Sequence, residues 1–144
     1  MPSPIAASVA PKKPRELTRE LEGEALDPKA LAALERLMAV ERVYRQEGLS
    51  IGILAVKLRL PEYRLRRLIN QRLGYRNFNA YLNHYRVEDA KVGLADPTEA
   101  EVPILTIAMD AGFQSLRAFN RAFRAETGMT PSEYRERARA RTAS

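Results

Sequence analysis

Three arginines recur at helical spacing in the stretch LRAFNRAFRAET near the end of the chain. On a helix of about 3.6 residues per turn they fall on one side, opposite Phe119 and Phe123. The candidate contact residues here are Leu116, Arg117, Asn120, Arg121 and Arg124. Arginine can donate two hydrogen bonds to guanine, and asparagine can pair in a similar way with adenine. This pattern is typical of a helix that reads the major groove of DNA while its aromatic side packs on the core.

A second segment with the same arrangement lies about 53 residues earlier in the chain, which indicates an internal repeat. Ala55 aligns with Ala108 at this offset, and Arg67 aligns with Arg121 once the second turn has added one residue. The outward candidates of the first copy are Tyr63, Arg66, Arg67 and Asn70. Each copy reads as an apolar helix with a small alanine, a tight turn, an amphipathic helix and a final glycine. That order predicts a helix-turn-helix, present twice.

The elements that position these side chains are all predicted to be helical, because no stretch alternates polar and apolar residues with a period of two. We expect an all-α fold of about seven helices, with two helix-turn-helix units joined by a long linker helix. That linker would span about 27 Å, which is comparable with the about 34 Å between equivalent major grooves. The predicted helices lie at about 28–47, 51–58, 61–73, 77–94, 104–111, 115–127 and 131–139. Ser50 is the expected cap of the second helix, and Asn77 or its neighbour opens the fourth.

The domain organisation follows from the same reading. Residues 1–27 are expected to form a flexible tail, 28–140 the DNA-binding domain, and 141–144 a short tail. Within that domain the helix-turn-helix units fall at about 50–74 and 103–128. The helix at 28–47, capped by Asp27, is expected to pack on the first unit.

The charge distribution favours a polyanionic partner. The chain has 144 residues, a net charge of +6 and a pI of about 9.9. Its basic side chains concentrate in 49–95 and 113–144, on either side of an acidic connection. The chain has no cysteine, which excludes disulfides and thiolate chemistry and fits a reducing compartment. We find neither an apolar run that could cross a membrane nor a secretory signal, and we expect a cytoplasmic location without membrane contact.

Residues that could do catalytic chemistry are scarce. His84 is the only histidine and has no partners at metal-ligand spacing, so a packing or surface role is expected for it. Asp110 and Glu126 do not form an evident carboxylate pair, and no glycine-rich phosphate loop is present. Tyr75, Tyr81 and Tyr134 are expected to be packing anchors. We therefore predict no enzyme activity, no metal site and no cofactor.

The stretch ILTIAMDAGFQSLRAFNRAFRAETGMTPSEYR resembles the signature region of AraC/XylS-type transcription regulators. LSIGILAVKLRLPEYRLRRLINQRLG and the following YRNFNAYLNHYRVEDAKVGL are also similar to that family. The resemblance covers about 49–137. It implies two recognition helices in successive major grooves of double-stranded DNA. It also implies a separate sensing or dimerisation domain, and we expect this chain to be the DNA-binding part of a larger regulator, with a stand-alone small regulator as the alternative. Contact with that domain or with a second protomer is the alternative role of the helix at 28–47. RNA polymerase is a further candidate partner.

Two departures from the family pattern affect this expectation. Arg59-Leu60-Pro61 stands where the family usually has a glycine, an apolar residue and a serine. Arg59 is therefore expected to adopt a left-handed backbone, at a cost of about 1 kcal/mol, with Pro61 at the first helical position. Arg117-Ala118 replaces a common serine in the second recognition helix, so the base preference should differ.

The main alternative is a helical protein-interaction module whose basic face meets an acidic protein or a polymerase surface. The outward asparagines, and the arginines that occupy equivalent positions in the two units, favour DNA. A purely electrostatic contact would not need repeated geometry.

Overall fold

The computed structural model describes residues 28–143, and no strand occurs within this range. The predicted all-α fold, with two helix-turn-helix units joined by a long helix, is confirmed. Its helices are α1 Pro28–Glu35, α2 Ile51–Leu58, α3 Glu62–Arg67, α4 Phe78–Ala95, α5 Ile104–Asp110, α6 Leu116–Thr127 and α7 Pro131–Ala143. The tail expected at 1–27, which includes the Asp27 cap, and Ser144 lie outside the described residues.

Two hydrophobic cores share the linker helix α4. The first half of α4 gives Tyr81 and Leu82 to the core of the first unit, where α1 packs as expected. The second half gives Val87, Ala90 and Leu94 to the core of the second unit. One helix therefore contributes to both cores and holds the two units together.

The first predicted helix is shorter than expected. Instead of continuing to residue 47, α1 passes into a π-helical turn, Arg36–Val40, and the chain then breaks at Arg42, whose φ is 53°. A short 3-10 turn, Val43–Arg45, follows. The break has a packing reason, because this turn buries Val43 and Tyr44, and the Tyr44 hydroxyl reaches α4.

Helix α3 also differs from the predicted 61–73. It ends at Arg67 and continues as a π-helical turn, Leu68–Arg72, in which the amide of Leu73 donates to the carbonyl of Leu68 at 3.0 Å. Pro61 has an extended backbone and precedes the helix, so its expected place at the first helical position was wrong. Gly74, at φ 80°, ends the element as predicted.

The C-terminal helix and the acidic connection also differ from the predicted boundaries. α7 runs past residue 139 to Ala143, because Ala138 is buried and the Arg139 guanidinium donates to the carbonyl of Ala100. The acidic connection before α5 contains a 3-10 turn, Pro97–Glu99, where Asp96 accepts hydrogen bonds from Thr98. The acidic connection therefore contains an ordered turn.

Candidate nucleic-acid interface

Helix α6 is fixed at both ends and along one side. The Ser115 hydroxyl accepts from the amide of Ala118 at 3.1 Å at the start, and Gly128 ends the helix at φ 75°. Phe119 and Phe123 are fully buried. Their rings are 5.5 Å apart, and Phe119 meets Phe113 at 5.1 Å. The aromatic side therefore anchors the helix, as the periodicity predicts.

The opposite side of α6 carries the predicted contact residues, and all of them are exposed. These residues are Leu116, Arg117, Asn120, Arg121 and Arg124. Within residues 28–143, no hydrogen bond or ion pair holds the guanidinium of Arg117, Arg121 or Arg124. Three cations and one amide thus face outward from a helix whose other side is buried in the core.

Helix α3 presents its candidates differently. Tyr63, Arg66 and Asn70 are exposed, whereas Arg67 is half-buried. A guanidinium nitrogen of Arg66 donates to the Glu62 carboxylate at 3.0 Å. The Arg67 guanidinium lies 5.1 Å from the centre of the Tyr63 ring. The two arginines that align in the repeat, Arg67 and Arg121, therefore sit in different surroundings.

The turns of the two units have the same hydrogen bonds. The amide of Leu60 donates to the carbonyl of Ala55 at 3.0 Å, and the amide of Phe113 donates to the carbonyl of Ala108 at 3.0 Å. Both alanines are buried. Arg59 has a φ of 56°, which confirms the predicted left-handed backbone at this position. The repeat seen in the sequence is therefore also a repeat of turn geometry.

Gly112 occupies the position in the second turn that Arg59 occupies in the first. Both its backbone φ and the lack of room for a β-carbon require a glycine there. A β-carbon at Gly112 would lie 2.5 Å from the carbonyl oxygen of Tyr44 and 2.8 Å from Nε of Arg86. Its φ of 111° is also unfavourable for other residues. The second turn thus packs directly on the backbone of the 3-10 turn Val43–Arg45.

That 3-10 turn joins the two units, which sequence reasoning missed. The Tyr44 hydroxyl donates to Asp89 at 2.9 Å, and Arg45 donates to both oxygens of the same carboxylate, at 2.6 and 2.9 Å. Nε of Arg86 donates to the carbonyl of Tyr44 at 2.7 Å. No local sequence pattern predicts these contacts, because the partners lie more than 40 residues apart.

The ionisation of the junction follows from these contacts. Burial alone would raise the pKa of Asp89, but the hydrogen bonds from Arg45 and Tyr44 outweigh it, and the pKa lies below its usual value. Burial and the bond to Asp89 raise the pKa of Tyr44 to about 12. Asp89 is therefore charged and Tyr44 neutral at physiological pH, so the junction is held together by charge-assisted hydrogen bonds.

The C-terminal signature residues pack rather than face outward. The Tyr134 ring meets Phe123 at 5.5 Å, and Arg135 is buried and donates to the carbonyl of Glu99 at 3.3 Å. Tyr75 and Tyr81 contact each other at 5.1 Å, in agreement with the expected packing role. Tyr134 thus packs on the buried side of α6, and Tyr75 packs on Tyr81 of α4.

His84 lies on α4 beside the second unit. Its Nδ1 is 3.0 Å from the carboxylate of Glu126, and its ring lies 5.7 Å from that of Tyr75. In the part of the chain that the structure describes, no cluster of three or more histidine or acidic side chains could hold a metal ion. Over the same residues, no helix combines the length and apolarity needed to cross a bilayer.

Comparison with known proteins agrees with this geometry. Residues 54–137 match the family described as a helix-turn-helix domain. The regulatory protein SoxS of Salmonella typhimurium is 35% identical over 91 residues, which cover 63% of this chain and 81% of SoxS. An uncharacterized HTH-type transcriptional regulator of Staphylococcus aureus is 35% identical over 89 residues, which cover 62% of this chain and 11% of that protein.

A solved structure shows the same arrangement of helices. The C-terminal domain of AraT, a response regulator from Geobacillus stearothermophilus, superposes with a TM-score of 0.63 at 29% identity, over 77% of this chain and 86% of that domain. The residues that match the family run from within α2 into α7 and include most of the first helix-turn-helix unit, the linker helix and the whole second unit. This is a family of transcription regulators and not a class of enzymes. The chain belongs to the AraC-type helix-turn-helix family of DNA-binding transcription regulators.

Proposed function

We propose that this chain binds double-stranded DNA in a sequence-specific manner, with α3 and α6 in successive major grooves. The observation that carries the proposal is the outward side of α6. There Arg117, Arg121 and Arg124 are exposed and unpaired within residues 28–143, while the opposite side is locked by buried phenylalanines. Such a helix can offer donors to base edges without losing its own packing.

The linker helix supports the use of two grooves at once. The 18 residues of α4 correspond to about 27 Å. Two recognition helices joined by a linker of this length would meet one face of DNA about one helical turn apart, with some bending of the duplex. Tyr63, Arg66, Arg67 and Asn70 would then contact one groove, and the exposed residues of α6 the next.

The biological setting is also part of the proposal. Binding would control transcription, and RNA polymerase is a candidate partner at the promoter. A sensing or dimerisation domain would belong to a larger regulator, as suggested by the Staphylococcus relative, which is matched over only 11% of its length. SoxS, by contrast, is matched over 81% of its own length. The proposed location is the cytoplasm, together with chromosomal DNA.

Selection of bound sites from a random duplex pool tests this function. We expect two short preferred motifs about one helical turn apart, recovered by the wild-type chain. The logarithm of the binding constant should fall steeply with that of salt, because several phosphates are contacted at once. A pool that never becomes enriched, or an affinity that salt does not change, would favour the protein-interaction module instead.

A further inference from the structure

A polar groove lies between the two units along the first half of α4. Its volume is about 600 Å³, and both units form its walls, with Gly48 and Leu49 on one side and Phe113 on the other. The polar lining consists of Arg76, Asn79, Asn83, Arg86, Gln114 and Arg121. Arg121 also belongs to the outward side of α6, so the groove is continuous with the surface that we propose meets DNA.

The groove offers hydrogen-bond donors and positive charge. Among residues 28–143, three of its polar lining side chains are guanidiniums, three are amides, and none is a carboxylate. Arg86 is engaged with Tyr44, but Arg76 and Asn79 are exposed. Across residues 28–143, the side chains of Arg76 and Asn79 make neither a hydrogen bond nor an ion pair. A phosphate oxygen is the acceptor that suits this set of donors.

A second groove, along the second half of α4, has the opposite character. Among the described residues, its acidic lining side chains are Glu88, Asp89, Glu99 and Asp110, and its basic ones are Arg42 and Arg45. Helix α4 therefore borders a basic groove and a largely acidic one. A polyanion would be attracted to the first and repelled by the second.

The geometry points to the phosphate backbone of the bound DNA as the ligand of the basic groove. This inference rests on the proposed function. When two helices enter successive major grooves on one face, the minor groove between them, with its flanking phosphates, must pass between the two units. Because the about 27 Å length of α4 falls short of the about 34 Å helical repeat, the duplex would bend toward the protein, and this bend narrows the central minor groove that faces α4.

A pair of charge-removing variants isolates the groove. Arg76→Gln removes one exposed cation from it without touching a proposed base-reading residue. Arg141→Gln is the matched control, since it removes an exposed cation from α7, whose Arg139 and Thr142 lie beside the far end of α4. Thermal melting of both variants checks that the fold is retained.

The probe is the duplex selected from the random pool, with one phosphate at a time replaced by an uncharged methylphosphonate. We expect the wild type to lose roughly fivefold in affinity when a central phosphate, between the two motifs, is neutralised. Arg76→Gln should lose a similar factor on the unmodified duplex, with a salt slope shallower by about 1. It should then lose little more on the neutralised duplex, because both changes remove the same contact. Arg141→Gln should behave as the wild type.

The other outcomes reject the inference in distinct ways. If the wild type binds its selected duplex but is indifferent to every central methylphosphonate, the groove does not hold the backbone and the proposed function stands. Independent losses from Arg76→Gln and from each central substitution would also reject the inference and leave the proposed function standing. An acidic protein segment would then be the better occupant. If the wild type selects no duplex at all, the proposed function fails and this inference fails with it.

Discussion

Helices α3 and α6 occupy equivalent places in the two units, yet they present their arginines in different ways. α6 is a regular helix of 12 residues whose outward guanidiniums are unpaired within residues 28–143. α3 has six residues before it widens into a π-helical turn. Its Arg66 is paired with Glu62, and its Arg67 is half-buried beside Tyr63. The two units therefore share a framework but not a contact surface.

The π-helical turn has a direct consequence for the contact surface. A π turn holds more residues than an α turn, so the side chains that follow it are rotated relative to those of a regular helix. Asn70 lies inside this turn and is exposed, whereas Arg124, its counterpart in the repeat, lies in a regular α-helix. We therefore expect α6 to contribute more to sequence specificity than α3.

The largest expected effect concerns the cores that hold the two helices. Phe119→Ala removes a fully buried ring and should lower the free energy of unfolding by about 3–5 kcal/mol. Leu65→Ala, the equivalent change in α3, should cost about 2–5 kcal/mol. Thermal or urea unfolding of both variants measures this. An unchanged midpoint for either variant would show that the buried side of that helix is wrongly assigned.

One substitution in each turn should change the free energy of unfolding in opposite directions. Gly112→Ala introduces a β-carbon 2.5 Å from the Tyr44 carbonyl at a positive φ, and should destabilise the fold by about 2–4 kcal/mol. Arg59→Gly relieves a left-handed arginine and should stabilise it by about 1 kcal/mol. Urea unfolding compares them directly. Equal effects at the two positions would show that contact with Tyr44 does not distinguish the turns.

These turns also show what can be inferred from sequence and what cannot. The Ser50 and Asn77 caps, the final glycines and the left-handed backbone at Arg59 all arise from local chemistry, and all were predicted. The contact of Tyr44 with Asp89 joins residues 45 apart and depends on how the two units pack. Local periodicity carries no such information, so the helix at 28–47 was predicted too long.

The candidate contact surface also has a part that local sequence predicts and a part that depends on tertiary packing. Helical periodicity is sufficient to place the outward residues of α6, because that helix is regular. In α3 the pairing of Arg66 with Glu62 was visible as an i, i+4 spacing of opposite charges and could have been predicted. The π-helical turn has no comparable local signal, since it depends on the packing of Leu68 and Ile69 in the first core.

The next prediction compares the aligned arginines. Arg121→Ala should lose about 1–3 kcal/mol of binding free energy on the preferred site and relax the preference in one motif only. Arg67→Ala should affect the other motif, with a loss at the lower end of that range, because its guanidinium is already held beside Tyr63. Site selection with each variant, and Arg141→Ala as control, measures both. Two unchanged sequence preferences would mean that this pair contacts phosphate alone.

The smallest expected effect tests whether internal pairing is what weakens the contribution of α3. Glu62→Gln removes the carboxylate that holds Arg66 at 3.0 Å. Both side chains are about half exposed, so the loss of the pair should change stability by only about 0.3–0.5 kcal/mol. The released guanidinium and the lost negative charge should both favour DNA, and we expect affinity to rise by roughly two- to fivefold. Equilibrium titration of the selected duplex measures this change. The double variant Glu62→Gln with Arg66→Ala is the control, since it should retain only the part of the gain that comes from the lost carboxylate. If Glu62→Gln alone leaves affinity unchanged, the ion pair does not restrain Arg66, and the contrast between the two helices must come from the π-helical turn and from Arg67.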